Sequence, residues 1–462
     1  MTGMLLIAAA LLNPTVELEC RDRGEWKLSV EERETEPGVR IVKVSARAPK
    51  AAPVPRFRVA VHVPAVGCDN AWNPNFGCGE NITLLPWWGK VFNIARTQPL
   101  RVLFDRAGTN RMALAVGELR RTVTFDTWFD EGPFACSTAV NFFTEPSEPL
   151  DSYETEIRLD MRGVPFCDAV RAAARWQSAR AGMAARPPEA AYEALYSTWY
   201  GFHKDLRADV IEDECRRAAA LGMKTIILDD GWQCDDTDGG YASCGDWRIS
   251  TKRFPDMRGH VARVHALGMK YVVWFSMPFV GEETEAYPKF KDKMLRRADD
   301  LGAWVLDPRF PEVRAYLRDV YLRCLRDWDI DGFKLDFVDS FGLEGGKDPA
   351  VEQNYAGRDC RSIPDGVEKL LKEVTDALRA EKPDVLLEFR QAYVGPEIRR
   401  YGNMVRVGDC PGSPIRNRVH IANLRLLCEG TAVHADMLRW NDADTLENAQ
   451  WLVLNSIFGV VQ

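Results

Sequence analysis

The stretch "GFKLDFVD", residues 332–339, places a lysine and a carboxylate inside a run of apolar residues. Side chains alternate between the two faces of a β-strand, so Lys334 and Asp336 share one face and the apolar residues share the other. Charged groups are almost never fully buried without a partner or a function. We therefore expect a strand whose inner face carries chemistry. The alternative is a buried ion pair that only stabilises the core.

Charged and aromatic residues also stand in or beside other short apolar runs between residues 192 and 462. They are Trp199, Asp229, Asp230, Trp232, Trp274, Glu388, Arg390, Arg406 and Asp409. Carboxylates hydrogen-bond hydroxyl groups and aromatic rings cover the apolar faces of a pyranose, so this set is typical of a sugar-binding pocket. A densely packed core alone would also explain the 14 tryptophans of the chain.

Other catalytic chemistries find little support in the sequence. Six histidines in 462 residues, and no Cys/His grouping with zinc-ligand spacing, argue against a metal-dependent hydrolase. No P-loop or GxGxxG precedes a predicted helix, and no Ser/His/Asp grouping is credible. We therefore expect neither a metal nor a cofactor.

The composition restricts the partners and the compartment of the protein. A net charge of -8 and a pI near 5.5 argue against a nucleic-acid partner. Twelve scattered cysteines are typical of reduced thiols in a chain of this size, so we expect a cytoplasmic protein. The apolar segment 4–12 has no basic flank or cleavage site and is too short to span a bilayer. We interpret it as a buried strand or helix and predict no membrane association.

The first part of the chain reads as antiparallel sheet. Runs such as "RIVKVSARA", "FRVAVHV" and "RTVTFDTWF" alternate apolar and polar positions and are separated by Gly, Pro and Asn clusters. This pattern predicts a β-sandwich domain over residues 1–165. The helical stretch "FCDAVRAAARWQSAR" and the proline-containing "ARPPEAA" predict a helical linker over residues 166–191.

Residues 192–462 show a different sequence pattern. Eight short apolar runs alternate with amphipathic stretches: "LYSTWYGFH", "TIILDDGWQ", "YVVWFSMP", "AWVLDPRF", "GFKLDFVD", "LLEFRQAY", "MVRVGDCP" and "AVHADMLRW". Eight strand–helix units in this length predict a (β/α)8 TIM barrel, with a reduced helix after the sixth run. Because the C-terminal ends of barrel strands meet at one face, the charged residues should converge there.

Three of these runs resemble a known family. "ILDDGW" on the second predicted strand, "GFKLDF" on the fifth and a carboxylate on the seventh resemble glycoside hydrolase family 36, the α-galactosidase or melibiase family. The resemblance covers about residues 190–462 and implies a retaining α-glycosidase, an oligosaccharide or glycoside substrate, and a homo-oligomer as one option. It also implies individual roles, with Asp336 as nucleophile and Asp409 as general acid/base. The implied ligands for sugar hydroxyls are Asp229, Asp230, Trp232 and Lys334.

The chemistry of a retaining glycosidase agrees with these two aspartates. Such an enzyme needs one ionised carboxylate that attacks the anomeric carbon and one protonated carboxyl that releases the leaving group. Lys334 should keep Asp336 ionised through its opposite charge. Asp409 stands between Gly408 and Cys410, a less polar setting that we expect to raise its pKa.

Two arginines depart from the family pattern. Arg406 stands where the family usually has a tryptophan, and Arg390 and Gln391 replace a Cys-Ser-Gly-Gly-Gly run. The guanidinium groups either serve as counter-charges for carboxylates such as Asp409 or Glu388, or bind an anionic group of the substrate. The sugar therefore stays open between galactose, N-acetylgalactosamine and an acidic sugar, and transglycosylation is a further alternative. From another class, a catalytically silent sugar-binding barrel is the competing hypothesis.

Overall fold

The chain divides into two compact units, which comprise Met1–Met183 with Gly395–Glu397, and Ala184–Val394 with Ile398–Gln462. The computed structural model describes residues 14–74, 82–84, 88–182, 184–235, 240–343, 356–390, 392–441 and 443–462. The apolar segment 4–12 and Gln391 lie outside the described residues. Within those ranges, no helix is long and apolar enough to cross a membrane.

The first unit contains two antiparallel sheets. Its described strands are β1 (Thr15–Glu19), β2 (Lys27–Glu36), β3 (Val39–Ala52), β4 (Phe57–Pro64), β5 (Asn70–Trp72), β6 (Ile82–Leu84), β7 (Trp88–Phe92), β8 (Leu100–Phe104), β9 (Asn110–Val116), β10 (Val123–Asp130), β11 (Ala135–Phe142) and β12 (Leu150–Asp160). One sheet has the order β1-β4-β11-β10-β7 and the other β2-β3-β12-β9-β8-β5-β6. Val59 and Val140 of the first sheet share one hydrophobic cluster with Val42 and Leu114 of the second. The predicted antiparallel architecture is confirmed.

Helix α1 (Phe166–Ala181) follows these sheets and belongs to the same unit. Its Gln177 side chain is fully buried and donates hydrogen bonds to the carbonyl oxygens of Pro99 and Val116, each at 2.9 Å. The boundary between the units falls after Met183, inside the segment 166–191 that the sequence predicts as a linker.

The second unit is built on a curled parallel sheet. The strands of this unit are β13 (Leu195–Ser197), β14 (Thr225–Leu228), β15 (Lys270–Ser276), β16 (Phe279–Gly281), β17 (Met294–Ala298), β18 (Ala303–Leu306), β19 (Gly332–Asp336), β20 (Leu386–Arg390), β21 (Met404–Arg406) and β22 (Ala432–His434). Seven of them form the parallel sheet, in the order β13-β14-β15-β19-β20-β21-β22. Seven of the eight predicted barrel strands therefore lie where the sequence predicts them.

The fourth predicted strand, "AWVLDPRF", is wrong as a barrel strand. It forms β18, which pairs antiparallel with β16 and β17 in a separate three-stranded sheet. Meanwhile β15 pairs directly with β19, with Trp274 opposite Lys334. A four-residue apolar run looks the same in a parallel and an antiparallel sheet, so its sequence could not reveal the difference. The strand of Lys334 and Asp336 is thus the fourth of the parallel sheet and not the fifth.

Helices separate most of the parallel strands, and one follows the last of them. They are α2 (Trp199–Phe202), α3 (Ala208–Ala220), α4 (Met257–His265), α5 (Ala286–Phe290), α6 (Pro311–Trp328), α7 (Ile363–Glu381), α8 (Pro414–Leu427) and α9 (Leu446–Ser456). In α7, Ser362 caps the first turn by accepting the Asp365 N–H, and its buried face repeats at helical spacing through Val367, Leu371 and Val374. Between β20 and β21, the described residues 392–403 contain a 3-10 turn, Ile398–Arg400, and no α-helix, which confirms the predicted reduction of one helix.

Residues 460–462 hydrogen-bond to both ends of this sheet. The Val460 N–H donates to Val433 O at 2.8 Å, and the Ala435 N–H donates to Val460 O at 2.8 Å. On the other side, the Leu195 N–H donates to Val461 O at 3.1 Å. The segment therefore connects β22 with β13 through backbone bonds.

We expect Val460→Pro to lower the stability of the second unit by about 1–3 kcal/mol, because proline lacks the N–H that bonds Val433 O and leaves that acceptor unsatisfied. Val460→Ala keeps the N–H and should cost less. Calorimetric unfolding of both variants measures the difference. Equal losses would mean that the Val460 side chain matters and that its backbone bond does not.

Candidate active site

A small cavity of about 60 Å³ lies at the C-terminal edge of the parallel sheet. Its lining consists of Trp199, Asp229, Asp230, Tyr241, Trp274, Lys334, Asp336, Phe337, Arg390, Arg406 and Asp409. All of these except Tyr241 and Phe337 are candidate site residues from the sequence. The structure therefore brings together side chains from six consecutive positions in the sheet, β13 to β21.

The "DDGW" segment turns sharply as it leaves β14. Asp229 is anchored through its N–H, which donates to Thr198 Oγ1 at 3.0 Å, and the Asp230 N–H donates to Asp229 Oδ1 at 2.9 Å. Gly231 has φ 115°, and a Cβ at this position would lie 2.5 Å from Lys204 Cα. Only glycine fits such a close approach, so this residue fixes both carboxylates at the cavity wall.

The two carboxylates of this turn have different partners. Asp229 Oδ2 accepts a hydrogen bond from Lys334 Nζ at 2.6 Å, and both side chains are buried. Asp230 accepts from Gln233 Nε2 at 2.6 Å, and Lys204 Nζ lies 3.4 Å from its other oxygen. Burial raises the pKa of Asp230 to about 6, although Lys204 opposes this. Asp230 can therefore carry a proton at mildly acidic pH.

Asp336 ends β19 and is surrounded by donors. Its Oδ1 accepts the Phe337 N–H at 2.7 Å and the Arg390 Nε–H, and the Tyr393 hydroxyl lies 3.4 Å away. Its Oδ2 accepts from Trp274 Nε1 at 3.0 Å. A carboxylate oxygen has room for two donors, so Oδ2 keeps one lone pair available toward the cavity.

The charges around Asp336 keep it ionised. Burial raises the pKa of this carboxyl, but the Arg390 guanidinium and then the Lys334 ammonium outweigh burial and hold the pKa well below its usual range. The sequence predicts this effect from Lys334 alone. In the structure Lys334 hydrogen-bonds to Asp229, and Arg390 is the direct ionic partner of Asp336.

Asp409 follows β21 and pairs with Arg406. Its Oδ1 accepts from Arg406 Nη2 at 2.8 Å, while Arg406 Nη1 bonds the buried Asp436. Partial desolvation raises the pKa of Asp409, but Arg406 and Arg390 outweigh it, so the pKa is lowered. The expectation of a raised pKa was wrong, because it rested on Gly408 and Cys410, whereas Arg406 serves as the counter-charge that the sequence left as one alternative.

Trp232 and Glu388 lie behind the cavity wall and do not line it. Trp232 is fully buried and donates from Nε1 to Trp274 O at 2.9 Å, so it supports the strand that carries Trp274. Glu388 is also fully buried, 3.3 Å from Gln462 Nε2 and 3.6 Å from His434 Nδ1. Burial raises the pKa of Glu388 to about 7, although Lys334 and Arg406 oppose it.

Two cavity residues escaped the sequence analysis. The sequence assigns Phe337 to the apolar face of the strand, but β19 ends at Asp336 and Phe337 has φ 61°. This left-handed conformation turns its ring toward the cavity, beneath the Arg390 guanidinium at 5.1 Å. Tyr241 comes from the long segment after β14, where its ring stacks on Trp274 at 5.9 Å. No sequence pattern distinguishes such a loop tyrosine.

Comparison with known proteins connects this arrangement to one family. Residues 186–388 match the family model described as Melibiase. The α-galactosidase Mel36A of Lactobacillus acidophilus is 28% identical over 221 residues, which cover 44% of this chain and 29% of that enzyme. A galactosaminidase of Flavonifractor plautii, described as acting on type A blood α-D-galactosamine, is 26% identical over 170 residues, 33% of this chain and 15% of that protein.

The likeness to solved structures extends over nearly the whole chain. A variant of the GH36 α-galactosidase AgaA of Geobacillus stearothermophilus, solved with raffinose, superposes with a TM-score of 0.68 at 15% identity. The superposition covers 94% of this chain and 64% of AgaA. The chain thus matches less than a third of the length of Mel36A in sequence, and under two thirds of AgaA in structure.

The second unit thus combines a curled parallel sheet with a carboxylate-lined cavity at the C-terminal ends of its strands. Residues 186–388 are therefore similar to the melibiase family, and the fold of the chain is that of the GH36 α-galactosidase AgaA.

Glu388 should make stability depend on pH. Its pKa of about 7 in the fold lies above its ordinary value of 4.5, so its stabilising contribution is complete below pH 4.5 and is lost as pH rises to about 7. We expect the melting temperature of Glu388→Gln to exceed that of the unchanged protein, and the difference to grow as the pH rises from 4.5 to about 7. Glu312→Gln, at an exposed carboxyl, is the control. Melting curves that stay parallel across pH would contradict a buried, protonated Glu388.

Proposed function

We propose that this chain is a retaining α-glycoside hydrolase of the α-galactosidase type. The observation that carries the proposal is that Asp336 and Asp409, from two strands of one parallel sheet, line the same cavity. The match of residues 186–388 to the melibiase family model supports the reaction class. We also propose that the curled sheet closes into a (β/α)8 barrel, with residues 460–462 as its eighth strand, which their backbone bonds on both sides support.

Asp336 is the proposed nucleophile. Its Oδ2 has one donor, Trp274, and can attack the anomeric carbon while Oδ1 stays held by its other donors. The new bond from Oδ2 to the anomeric carbon forms as the glycosidic C–O bond breaks, and a covalent glycosyl ester results. Water then attacks the same carbon from the opposite face and releases the sugar with its α configuration retained.

Asp409 is the proposed general acid/base. It donates a proton to the departing glycosidic oxygen and later takes one from the attacking water. In the free protein Arg406 favours its ionised form. Its side chain is 56% exposed, so an aglycone bound against it would remove water, and desolvation raises the pKa of a carboxyl. Asp436 is the alternative acid, but it does not line the cavity.

The sugar is proposed to lie between carboxylates and aromatic rings. Asp229, Asp230 and Lys334 offer hydrogen bonds to hydroxyl groups, and Trp199 and Trp274 offer apolar faces. The raffinose that AgaA binds makes α-galactosides the first substrates to test. The galactosaminidase relative supports N-acetylgalactosaminides as the second.

A second candidate function is sugar binding without turnover. It is favoured by one observation, which is that Arg390 pairs with Asp336 and Arg406 with Asp409.

A cytoplasmic location fits the eleven described cysteines, which are free thiols. The homo-oligomer stays a prediction.

Asp336→Asn should lower kcat by about 10⁴-fold or more, because the amide cannot form the glycosyl ester. Hydrolysis of nitrophenyl α-glycosides measures the loss, and a mechanism-based fluoro-sugar should label the peptide that contains residue 336. Asp209→Asn, on an exposed side chain of α3, is the matched control. Label on another peptide would reassign the nucleophile, and absence of both turnover and label in the unchanged protein would favour the binding function.

Asp409→Ala should impair substrates with poor leaving groups far more than activated phenyl glycosides, because only the poor leaving groups need a proton. Added azide should restore turnover of the activated substrates and give the α-glycosyl azide. Rates for a leaving-group series, with and without azide, measure both effects. Equal losses across the series would reject the acid/base role.

A further inference from the structure

Asp436 is a buried carboxylate that follows β22 and bonds the segment of Asp409. Its Oδ1 accepts from Arg406 Nη1, and its Oδ2 accepts the Cys410 N–H at 2.6 Å and the Tyr200 hydroxyl at 3.1 Å. All three groups are donors, which is the environment of an ionised carboxylate. Asp436 does not line the cavity, so it can influence a bound sugar only through its neighbours.

One of these bonds fixes the backbone next to Asp409. Asp409 and Cys410 share a peptide unit, so the bond from the Cys410 N–H to Asp436 restrains the main chain of both residues. Asp436 is itself held by Asn417 of α8, which donates to its carbonyl oxygen at 3.1 Å and accepts its N–H at 3.0 Å. The more exposed Asp409 is therefore connected to a buried anchor through a single peptide unit.

Arg406 is bonded to both aspartates. Its Nη1 donates to Asp436, its Nη2 donates to Asp409 Oδ1 at 2.8 Å, and its side chain is buried. The negative charge of Asp436 therefore cancels part of the positive potential that Arg406 exerts at Asp409. Burial raises the pKa of Asp436, while Arg406 and the Cys410 N–H oppose this rise and favour the ionised form. Without the charge of Asp436, Arg406 would lower the pKa of Asp409 further.

Asp409 also faces charged and titratable groups of other elements. In addition to the arginine that it bonds, Arg390 on β20 and Lys334 on β19 lower its pKa. Burial and then the charges of both aspartates raise the pKa of the Tyr200 hydroxyl on α2, so this group stays neutral. A substitution of Asp436 alone leaves all of these groups in place, and a change in the proton affinity of Asp409 then reports the lost charge.

We propose that Asp436 is the positioning residue of the acid/base Asp409, because it anchors the backbone of Asp409 and shares the charge of Arg406 with it. A general acid works best when its pKa lies near the working pH, and Asp436 opposes the arginine that lowers the proton affinity of Asp409. The inference rests on the proposed function for the catalytic role of Asp409, but the charge link between the two aspartates stands independently of turnover.

The dependence of kcat/KM on pH tests the shared charge. In a retaining glycosidase the alkaline limb of this profile reports the proton of the acid/base. Asp436→Asn keeps an oxygen that accepts the Cys410 N–H and removes the charge, so we expect its alkaline limb to lie about one pH unit lower. Asp331→Asn is the matched control, because Asp331 is also buried and paired but precedes β19, at the opposite edge of the sheet. Its alkaline limb should not move.

A second variant tests the anchor. Asp436→Ala removes both the charge and the acceptor for the Cys410 N–H. Its kcat, measured well below the alkaline limb, should be about tenfold or more lower than that of Asp436→Asn, because a displaced catalytic group loses rate steeply. Equal kcat values in the two variants would contradict the anchoring role.

A titration that needs no turnover separates the inference from the proposed function. Carbon NMR of protein with isotope-labelled aspartate carboxyl groups follows Asp409, whose signal is the one that Asp409→Asn removes. The pKa of Asp409 should be lower in Asp436→Asn than in the unchanged protein and in Asp331→Asn. If Asp436→Asn does not fold, Asp436→Ser removes the same charge in less space and replaces it in both measurements.

An unmoved alkaline limb or an unchanged pKa of Asp409 in Asp436→Asn would overturn the inference, and so would an equal change in Asp331→Asn. A lowered pKa of Asp409 without hydrolysis of any nitrophenyl α-glycoside by the unchanged protein would retain the charge link and reject the hydrolase. Hydrolysis with an unmoved alkaline limb in Asp436→Asn would retain the hydrolase and reject the inference.

Discussion

The site depends on the pairing of charges that the parallel sheet takes out of water. Asp229, Lys334, Asp336 and Arg406 are all buried at the C-terminal edge of the sheet. An isolated charge in such a place is too costly to persist, so each must lie beside an opposite one. Lys334 pairs with Asp229, Arg390 with Asp336, and Arg406 with Asp409 and Asp436. Removing one member would leave its partner without its counter-charge, so substitutions at these positions are expected to be costly.

The register of the parallel strands determines which charged side chains of this network lie next to each other. Lys334 lies opposite Trp274 on one neighbour and Glu388 on the other, and Arg390 lies opposite Arg406. Residues two apart on a strand share a face, so each strand can present two functional side chains at successive depths. Lys334 and Glu388 form the deeper level. Asp336 and Arg390 form the next level along their strands, and Glu388, which does not line the cavity, is the more deeply buried of the two carboxylates.

Most of the site could be predicted from sequence because its residues stand at the ends of short apolar runs, and parallel strands align those ends. The same reasoning failed for β18, where an apolar run of the right length pairs antiparallel outside the parallel sheet. It also failed for the pKa of Asp409, because the sequence shows that Arg406 is near but not that its guanidinium bonds this carboxyl. Phe337 shows a third limit. The alternation rule holds only while the strand continues, and here the backbone turns at that residue.

The contact between residues 460–462 and β13 affects how the second unit folds. Leu195 and Val461 are bonded although nearly the whole unit separates them along the chain. Contacts of such long sequence separation form late and slow folding, because the intervening loop must be closed first. During synthesis β13 leaves the ribosome early, and one of its edges stays unpaired until residues 460–462 have also emerged. Over that interval the exposed edge is open to pairing with other chains, so this unit should need chaperones more than the antiparallel unit that precedes it.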